Sequence, residues 1–265
     1  MNRRHFLSTV GAGGTGLAHA LQRLDTQTPR RPNIVLLLTD DHHWQCLGAA
    51  GNPHVRTPSL DRLVARGVYF RNAICSTPQC CPSRGILLSG RETYQTGLIS
   101  NRQASFRDDL GPTALEQIRR AGYQTILVGK WHVAPRPEAC GFRQAPLWKE
   151  DGADYQNPPL RCGLSGRDEM ISGWETDLLT DAAIDALRNA RQPFLLWLAY
   201  TAPHSPWNAR SADARYVRLH EGKNVREIAP PAHPPGGEDF PWNYYYAVTG
   251  PPAAISGTRI DSSQG

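Results

Sequence analysis

The segment CCPSR at residues 80–84 combines a thiol, a turn-forming proline and a guanidinium. Pro82 favours an exposed turn, Ser83 is suited to cap a helix, and residues 85–88 are typical of the first turn of a buried helix. We therefore expect Cys80 to lie at a helix N-terminus, where amide dipoles favour an anion, and to be a site of modification. A structural thiol or one arm of a disulfide is the alternative. Zinc is disfavoured because no Cys-x-x-Cys pair occurs.

Two adjacent carboxylates, Asp40 and Asp41, follow directly on the apolar run NIVLLLT at residues 33–39. Such a run predicts a strand buried on both faces. Carboxylates at the carboxyl end of a central parallel strand lie in the crevice where open α/β sheets bind ligands. Adjacent acids repel each other unless a cation lies beside them, and calcium suits the pair because it takes several carboxylate oxygens. Turn or helix-capping aspartates are the alternative.

Two further apolar runs end in basic side chains. Residues 125–129 precede Lys130 and His132, and residues 194–200 precede His204. Both runs predict buried strands, so these side chains are expected on the same rim as the acidic pair. Taken singly, each is as well explained as a surface charge or a loop histidine.

Helical patterns alternate with these strands. Residues 57–63 predict a helix with Pro in its first turn, leading into an apolar segment at 68–70, so the CCPSR segment is expected on a strand-to-helix connection. Thr113 and Glu116 predict a capping box, and residues 178–191 form an amphipathic pattern. The alternation predicts an α/β fold with a mainly parallel central sheet and helices on both faces.

The chain resembles the sulfatase family of the alkaline phosphatase superfamily. The family signature is Cys-x-Pro-Ser-Arg, then a short apolar stretch and Ser-Gly or Thr-Gly; residues 80–84 and 89–90 match it. The Gly-Lys-Trp-His element at residues 129–132 and the Pro-His-x-Pro segment at 203–206 resemble two further family elements. The resemblance covers roughly residues 32–249 and implies a sulfatase-like fold over the N-terminal part of the family's length.

The resemblance also implies a reaction. Cys80 would be oxidised by a formylglycine-generating enzyme to formylglycine, whose hydrate attacks the sulfur of a sulfate ester; the second hydroxyl of the hydrate then allows sulfate to be expelled. Arg84, Lys130, His132 and His204 would offset charge on the sulfate group, and His204 or Lys130 would protonate the leaving oxygen. The expected enzyme is a sulfuric ester hydrolase acting on a sulfated carbohydrate.

A calcium ion is the expected cofactor, held by Asp40, Asp41 and the formylglycine made from Cys80. Family members are longer and add a strand that ends in Asp followed by Asn or His, then a Lys; no such pattern follows His204 here. The sulfatase-like region at 33–249 is therefore expected to be incomplete at its C-terminus. The Pro- and Gly-rich end at 250–265 is expected to be a disordered tail.

The N-terminus predicts export. Residues 2–7 (NRRHFL) resemble a twin-arginine motif, a mildly apolar Gly-rich segment follows, and residues 18–20 (AHA) fit a cleavage site. We expect a signal peptide at 1–20 recognised by the twin-arginine machinery, a linker at 21–32, and a periplasmic or secreted protein. A disordered basic tail is the alternative. Cys140 and Cys162 are candidates for a disulfide in such a compartment.

Composition agrees with an exported globular enzyme. The 265 residues carry a net charge of +5, but the Arg residues are scattered, so no nucleic-acid partner is predicted. The sequence contains no run of 18 apolar residues, so no membrane span is predicted. Two other interpretations stay open: a phosphate or phosphonate ester hydrolase of the same superfamily, and an inactive truncated fragment.

Overall fold

The structure is a computed structural model that describes residues 31–102, 106–107, 109–133, 135–206 and 211–221. The chain divides into Met1–Asn33 and Ile34–Gly265, and every described helix and strand lies in the second unit. The strands are β1 Ile34–Leu38, β2 Gln124–Lys130, β3 Gln144–Lys149, β4 Pro159–Arg161, β5 Asp168–Met170 and β6 Phe194–Ala199.

The described residues form six α-helices and two 3-10 turns. The helices are α1 Pro58–Arg66, α2 Cys80–Ser89, α3 Thr93–Thr96, α4 Ala114–Arg120, α5 Glu175–Asn189 and α6 Ala214–Val217. The 3-10 turns are Gly48–Ala50 and Arg218–His220. The predicted capping box is present at the start of α4, where the Glu116 amide donates to Thr113 Oγ1 and the Glu116 carboxylate accepts from the Thr113 amide.

The described strands form one sheet of order β1-β6-β2-β3-β4-β5. Strands β1, β6, β2 and β3 are parallel, and β4 and β5 add an antiparallel edge. Leu38 and Gly129 both pair with Ala199, and Lys130 pairs with Lys149. The carboxyl ends of the parallel strands therefore lie level with one another, and the loops that follow them meet at one edge of the sheet.

Helices cover both faces of the sheet, as predicted. On one face, Leu179 and Ala183 of α5 pack against the β2 and β6 side chains Ile126, Leu196 and Leu198. On the other face, α2 and α4 pack against alternate residues of the same strands; that cluster includes Cys81, Leu88, Leu115, Leu127 and Trp197. The two clusters fix the central strands because both faces of β2 and β6 are buried.

The prediction that β1 is buried on both faces is wrong. Ile34, Leu36 and Leu38 pack into the core, but Val35 and Leu37 are 50% and 49% exposed. The reason is topological: β1 lies at the edge of the described sheet, and the α5 cluster covers β2, β3 and β6 instead.

Two predictions around the CCPSR segment also need correction. Residues 68–70 form no strand, and Val68 and Phe70 are exposed, so the segment does not lie on a strand-to-helix connection. Helix α2 begins at Cys80, not after Ser83, and the Ser83 amide donates to Gln79 O as part of its first turn. Pro82 is tolerated there because the first-turn amides lack intrahelical partners, and Cys81 and Pro82 are buried, not part of an exposed turn.

The disulfide suggested for Cys140 and Cys162 is not present, since both are free thiols; Cys140 is buried and Cys162 exposed. Among the described residues, no helix combines the length and apolarity that crossing a membrane requires. The predicted signal peptide, linker and tail lie almost entirely outside the described residues.

Candidate active site

Cys80 occupies the first position of α2, held there by its neighbours. Gln79 is extended at the helix boundary, Cys81 is buried in the core, and the Cys81 amide donates to Asn101 Oδ1 at 3.0 Å. The Cys80 thiol is half-buried and donates to Asp40 Oδ1 at 3.4 Å. Burial, reinforced by the nearby Asp40 carboxylate, raises the pKa of Cys80 to about 11. The unmodified residue is therefore a neutral thiol near pH 7, and the helix N-terminus does not reverse this.

Asp40 lies in the loop after β1 and pairs with two buried cations. Its Oδ2 atom lies 3.0 Å from Lys130 Nζ and 3.2 Å from Arg84 Nη2, while Arg84 Nη1 donates to the Lys130 carbonyl at 2.6 Å. Burial opposes ionisation of Asp40, but Lys130 and Arg84 outweigh it and lower the pKa of this carboxyl. Asp40 is therefore a carboxylate whose Oδ1 edge faces Cys80.

Asp41 and His204 close the other side of the group. Asp41 adopts a left-handed backbone with φ of 54°, and its Oδ2 lies 3.4 Å from His204 Nε2. The His204 amide donates to Thr201 O at 3.0 Å, and the Tyr155 hydroxyl donates to the His204 carbonyl. Two elements therefore hold His204 at the rim: the loop after β6 and the loop after β3.

Asp40, Asp41, Cys80 and His204 form a group of possible metal ligands, of which the two carboxylates suit a hard cation. One ligand atom from each of Asp40, Asp41, Cys80 and His204 lies within 4.8 Å of the others. Asp40 Oδ2 already faces Lys130 and Arg84, which leaves Asp40 Oδ1 and the Asp41 carboxylate as oxygen donors. Two carboxylates fit the chemistry of calcium, which prefers oxygen and takes about six to eight ligands, so they form part of a shell rather than a complete one.

Asp151 is a site residue that the sequence analysis missed. Its Oδ1 lies 2.9 Å from Lys130 Nζ and its Oδ2 lies 3.3 Å from His132 Nε2. It follows β3, whose sequence QAPLWK contains polar residues at both ends and Pro146, so no apolar run marked it. The rule that acids after parallel strands reach the site would have identified Asp151 once β3 was recognised.

A buried ion pair supports the loops that carry these side chains. Lys149 Nζ lies 3.0 Å from Glu175 Oε2, and Thr201 Oγ1 donates to Glu175 Oε1 at 2.6 Å. The Glu175 amide donates to Tyr155 O at 2.8 Å. Glu175 thus ties the ends of β3 and β6 to the start of α5, and it too was absent from the sequence prediction.

The structure brings all the predicted site residues to one edge of the sheet. Asp40 directly contacts Cys80, Arg84 and Lys130, and Asp41 contacts His204. The two groups adjoin, because ligand atoms of Asp41 and His204 lie within 4.8 Å of those of Asp40 and Cys80. The seventh, His132, joins them through Asp151. Their chemical roles stay predictions.

Comparison with known proteins assigns the family. A family model described as Sulfatase matches residues 32–227. This chain belongs to the sulfatase family. N-acetylglucosamine-6-O-sulfatase of Bacteroides thetaiotaomicron is 31% identical over 180 residues, which are 67% of this chain and 32% of that protein. N-acetylgalactosamine-6-sulfatase of Homo sapiens is 36% identical over 241 residues, 76% of this chain and 45% of that protein.

Solved structures agree with the assignment. A protein solved in complex with its substrate D-glucosamine-2-N,6-O-disulfate superposes with a TM-score of 0.63 at 30% identity, covering 74% of this chain and 40% of that one. The sulfatase-like fold predicted from the sequence is therefore confirmed. A phosphonate monoester hydrolase of Agrobacterium radiobacter has a TM-score of 0.56 at 20% identity, which shows the fold alone. This sulfatase chain spans less than half the length of the two curated relatives.

Proposed function

We propose that this sulfatase chain hydrolyses sulfate esters of a sulfated carbohydrate, using formylglycine made from Cys80. The observation that carries the proposal is the position of the Cys80 thiol, 3.4 Å from Asp40 Oδ1 in a group of donor atoms within 4.8 Å of one another. A thiol with a pKa raised to about 11 is a poor nucleophile near neutral pH. Conversion to formylglycine places an aldehyde here, and addition of water to that aldehyde supplies two hydroxyl groups that the unmodified side chain lacks.

Arg84 and Lys130 provide fixed positive charge beside that position. Both are almost fully buried and both contact Asp40 Oδ2. Burial by itself lowers the pKa of Lys130, but Asp40 and Asp151 outweigh it and raise that pKa, so Lys130 keeps its proton near neutral pH. The two cations therefore serve to orient a sulfate group and to offset charge that develops on its oxygens.

Asp40 Oδ1 and the Asp41 carboxylate would hold a calcium ion. Bound calcium supplies a Lewis acid that polarises a sulfate oxygen. Within this chain, Asp40 has two functions, because its Oδ2 orients Lys130 and Arg84 while its Oδ1 faces Cys80 and the cation position.

His204 is the proposed donor of a proton to the leaving oxygen. It lies on the rim with its ring 26% exposed, whereas Lys130 is 2% exposed and shared between two carboxylates. A half-buried imidazole on the rim exchanges protons with solvent more readily than a buried ammonium.

The substrate class follows the relatives. The two curated relatives above are named as 6-sulfatases of N-acetylglucosamine and N-acetylgalactosamine. We therefore propose a 6-O-sulfated N-acetylhexosamine as the substrate class for this chain.

The test begins with co-expression of the full chain and a formylglycine-generating enzyme. Peptide mass spectrometry is expected to show the aldehyde at Cys80, and the Cys80→Ala variant is expected to lose turnover of 6-sulfated N-acetylhexosamine. Cys81→Ala changes the adjacent core cysteine and is the matched control, which should keep the aldehyde. An unmodified Cys80 thiol contradicts the proposed nucleophile, and a large preference for aryl phosphate over aryl sulfate contradicts the proposed reaction.

A further inference from the structure

Backbone pairing beyond β2 and β3 carries Asp151 to the site. The Trp131 amide donates to Lys149 O at 2.9 Å, and the His132 amide donates to Glu150 O at 2.7 Å. The segments that follow β2 and β3 therefore stay hydrogen-bonded to each other past the ends of the two strands. Asp151 follows at once, so its carboxylate faces back toward the side chains at the end of β2.

His132 is held in an uncommon conformation at this point. Its backbone is left-handed with φ of 51°, and its side chain is 17% exposed. Few residues other than Gly adopt this region, although His tolerates it better than most. The backbone conformation and the Asp151 carboxylate together place the His132 ring. Asp151 Oδ2 lies 3.3 Å from His132 Nε2.

The two ring nitrogens of His132 have opposite surroundings. Nε2 faces the Asp151 carboxylate, whereas Nδ1 is buried and has no hydrogen-bond partner among the described residues. Burial lowers the pKa of His132 despite the opposing effect of Asp151, so the ring is neutral near pH 7 and carries one N–H. A carboxylate oxygen favours that proton on Nε2 and disfavours a lone pair there.

Lys130 is the second group that Asp151 controls. Its ammonium lies between two carboxylates, 3.0 Å from Asp40 Oδ2 and 2.9 Å from Asp151 Oδ1. Without Asp151, the ammonium would be directed by Asp40 alone, and its charge would be less offset.

We propose that Asp151 is a positioning residue that holds His132 as the Nε2–H tautomer, leaving Nδ1 as an open acceptor, and orients Lys130 opposite Asp40. Its effect on turnover rests on the proposed function, but its effect on the tautomer does not. Asp151 is proposed to act through its contacts with His132 and Lys130.

The tautomer is measured by side-chain nitrogen NMR of the full chain labelled in its nine histidines. A His132→Gln variant identifies the His132 signals. The wild type is expected to show a protonated Nε2 and an unprotonated Nδ1. Asp151→Asn is expected to move the signals toward a mixture of both tautomers, and Asp151→Glu, which keeps the carboxylate, is expected to restore the wild-type pattern.

Glu150→Gln is the matched control. Glu150 is the preceding residue, has similar exposure and pairs with Arg161 instead of the site, so its substitution should leave His132 unchanged. A wild-type His132 protonated at Nδ1, or an unchanged tautomer in Asp151→Asn, overturns the proposal.

Turnover supplies the second measurement. Asp151→Asn is expected to lower kcat by about 10- to 100-fold, the range seen when the hydrogen-bonding partners that orient metal ligands are removed. KM for the sulfate ester should stay equal or fall, because Lys130 becomes a less neutralised cation. A raised KM with unchanged kcat overturns the positioning role and indicates a binding role. If the wild type has no sulfatase turnover, the proposed function fails while the NMR result still decides the tautomer.

Discussion

Lys130 Nζ lies 3.0 Å from Asp40 Oδ2, with the two side chains only 2% and 7% exposed. Removing one partner of a buried pair leaves an uncompensated charge. We expect Lys130→Ala to lower the free energy of unfolding by about 3 kcal/mol, at the low end of the usual cost because Arg84 still contacts Asp40. Urea denaturation in EDTA measures the change.

The control for that variant is Arg188→Ala, which breaks an ion pair with Asp185 whose partners are 73% and 70% exposed. Exposed pairs contribute about 0–1 kcal/mol, so little change is expected. Equal losses in the two variants would contradict the structural importance of the buried pair.

Stability should depend on pH through Asp40. Lys130 and Arg84, working against burial, hold the pKa of Asp40 below its ordinary value of 3.8. The unfolded state therefore takes up a proton before the folded state does, so the contribution of Asp40 is present above pH 3.8 and is lost as pH falls through the lower folded value. The urea concentration at the unfolding midpoint should fall as pH decreases below about 4, and it should fall less steeply in Asp40→Asn than in the wild type. An equally steep loss in Asp40→Asn and wild type would contradict this assignment.

The unmodified Cys80 thiol should react slowly with alkylating agents. Its pKa is raised to about 11, first by burial and then by Asp40, so the thiolate fraction rises roughly tenfold per pH unit through neutral pH. Chain produced without the modifying enzyme should show slower iodoacetamide labelling at Cys80 than at exposed Cys162. Peptide mapping measures both rates.

A matched pair of variants isolates the cause of that slow reaction. Asp40→Asn should speed labelling of Cys80, whereas Glu150→Gln should not, because Glu150 pairs with Arg161 instead. Labelling that is equally slow in Asp40→Asn would assign the effect to burial alone.

Calcium should stabilise the folded chain through Asp41 as well as Asp40. A ligand present at 100 times its Kd adds about 2.7 kcal/mol to the free energy of unfolding. We expect calcium to raise the melting temperature of the wild type and to have little effect on Asp41→Asn. Asp185→Asn, which changes an exposed carboxylate of α5, is the control. An equal calcium shift in Asp41→Asn would show that the ion binds elsewhere.

Loss of His204 should affect poor leaving groups most. If His204 protonates the leaving oxygen, His204→Ala should lower kcat for a sugar 6-sulfate by about 10²- to 10⁴-fold, the usual contribution of a general acid. An aryl sulfate with an acidic phenol needs little protonation and should be slowed much less. His220→Ala, a histidine outside the site, is the control. Equal slowing of both substrates would assign His204 to sulfate binding instead.

Local patterns in the sequence determined much of the sheet and most of the site. The apolar runs predicted the strands β1, β2 and β6, because short runs of consecutive apolar residues favour strands. Burial on both faces holds for β2 and β6 and not for β1. The side chains that follow those strands, among them Asp40, Lys130 and His204, were expected on one rim because parallel strands end at a common edge.

The tertiary structure decided what depends on distant neighbours. Whether Val35 faces solvent follows from strand order, and β1 lies at the edge of the described sheet. The raised pKa of Cys80 depends on burial and on Asp40, which is 40 positions away in sequence. Asp151 became a site residue only through the pairing of β3 with β2, because an apolar pattern records burial along one segment, whereas a charge contact depends on which segments the fold brings together.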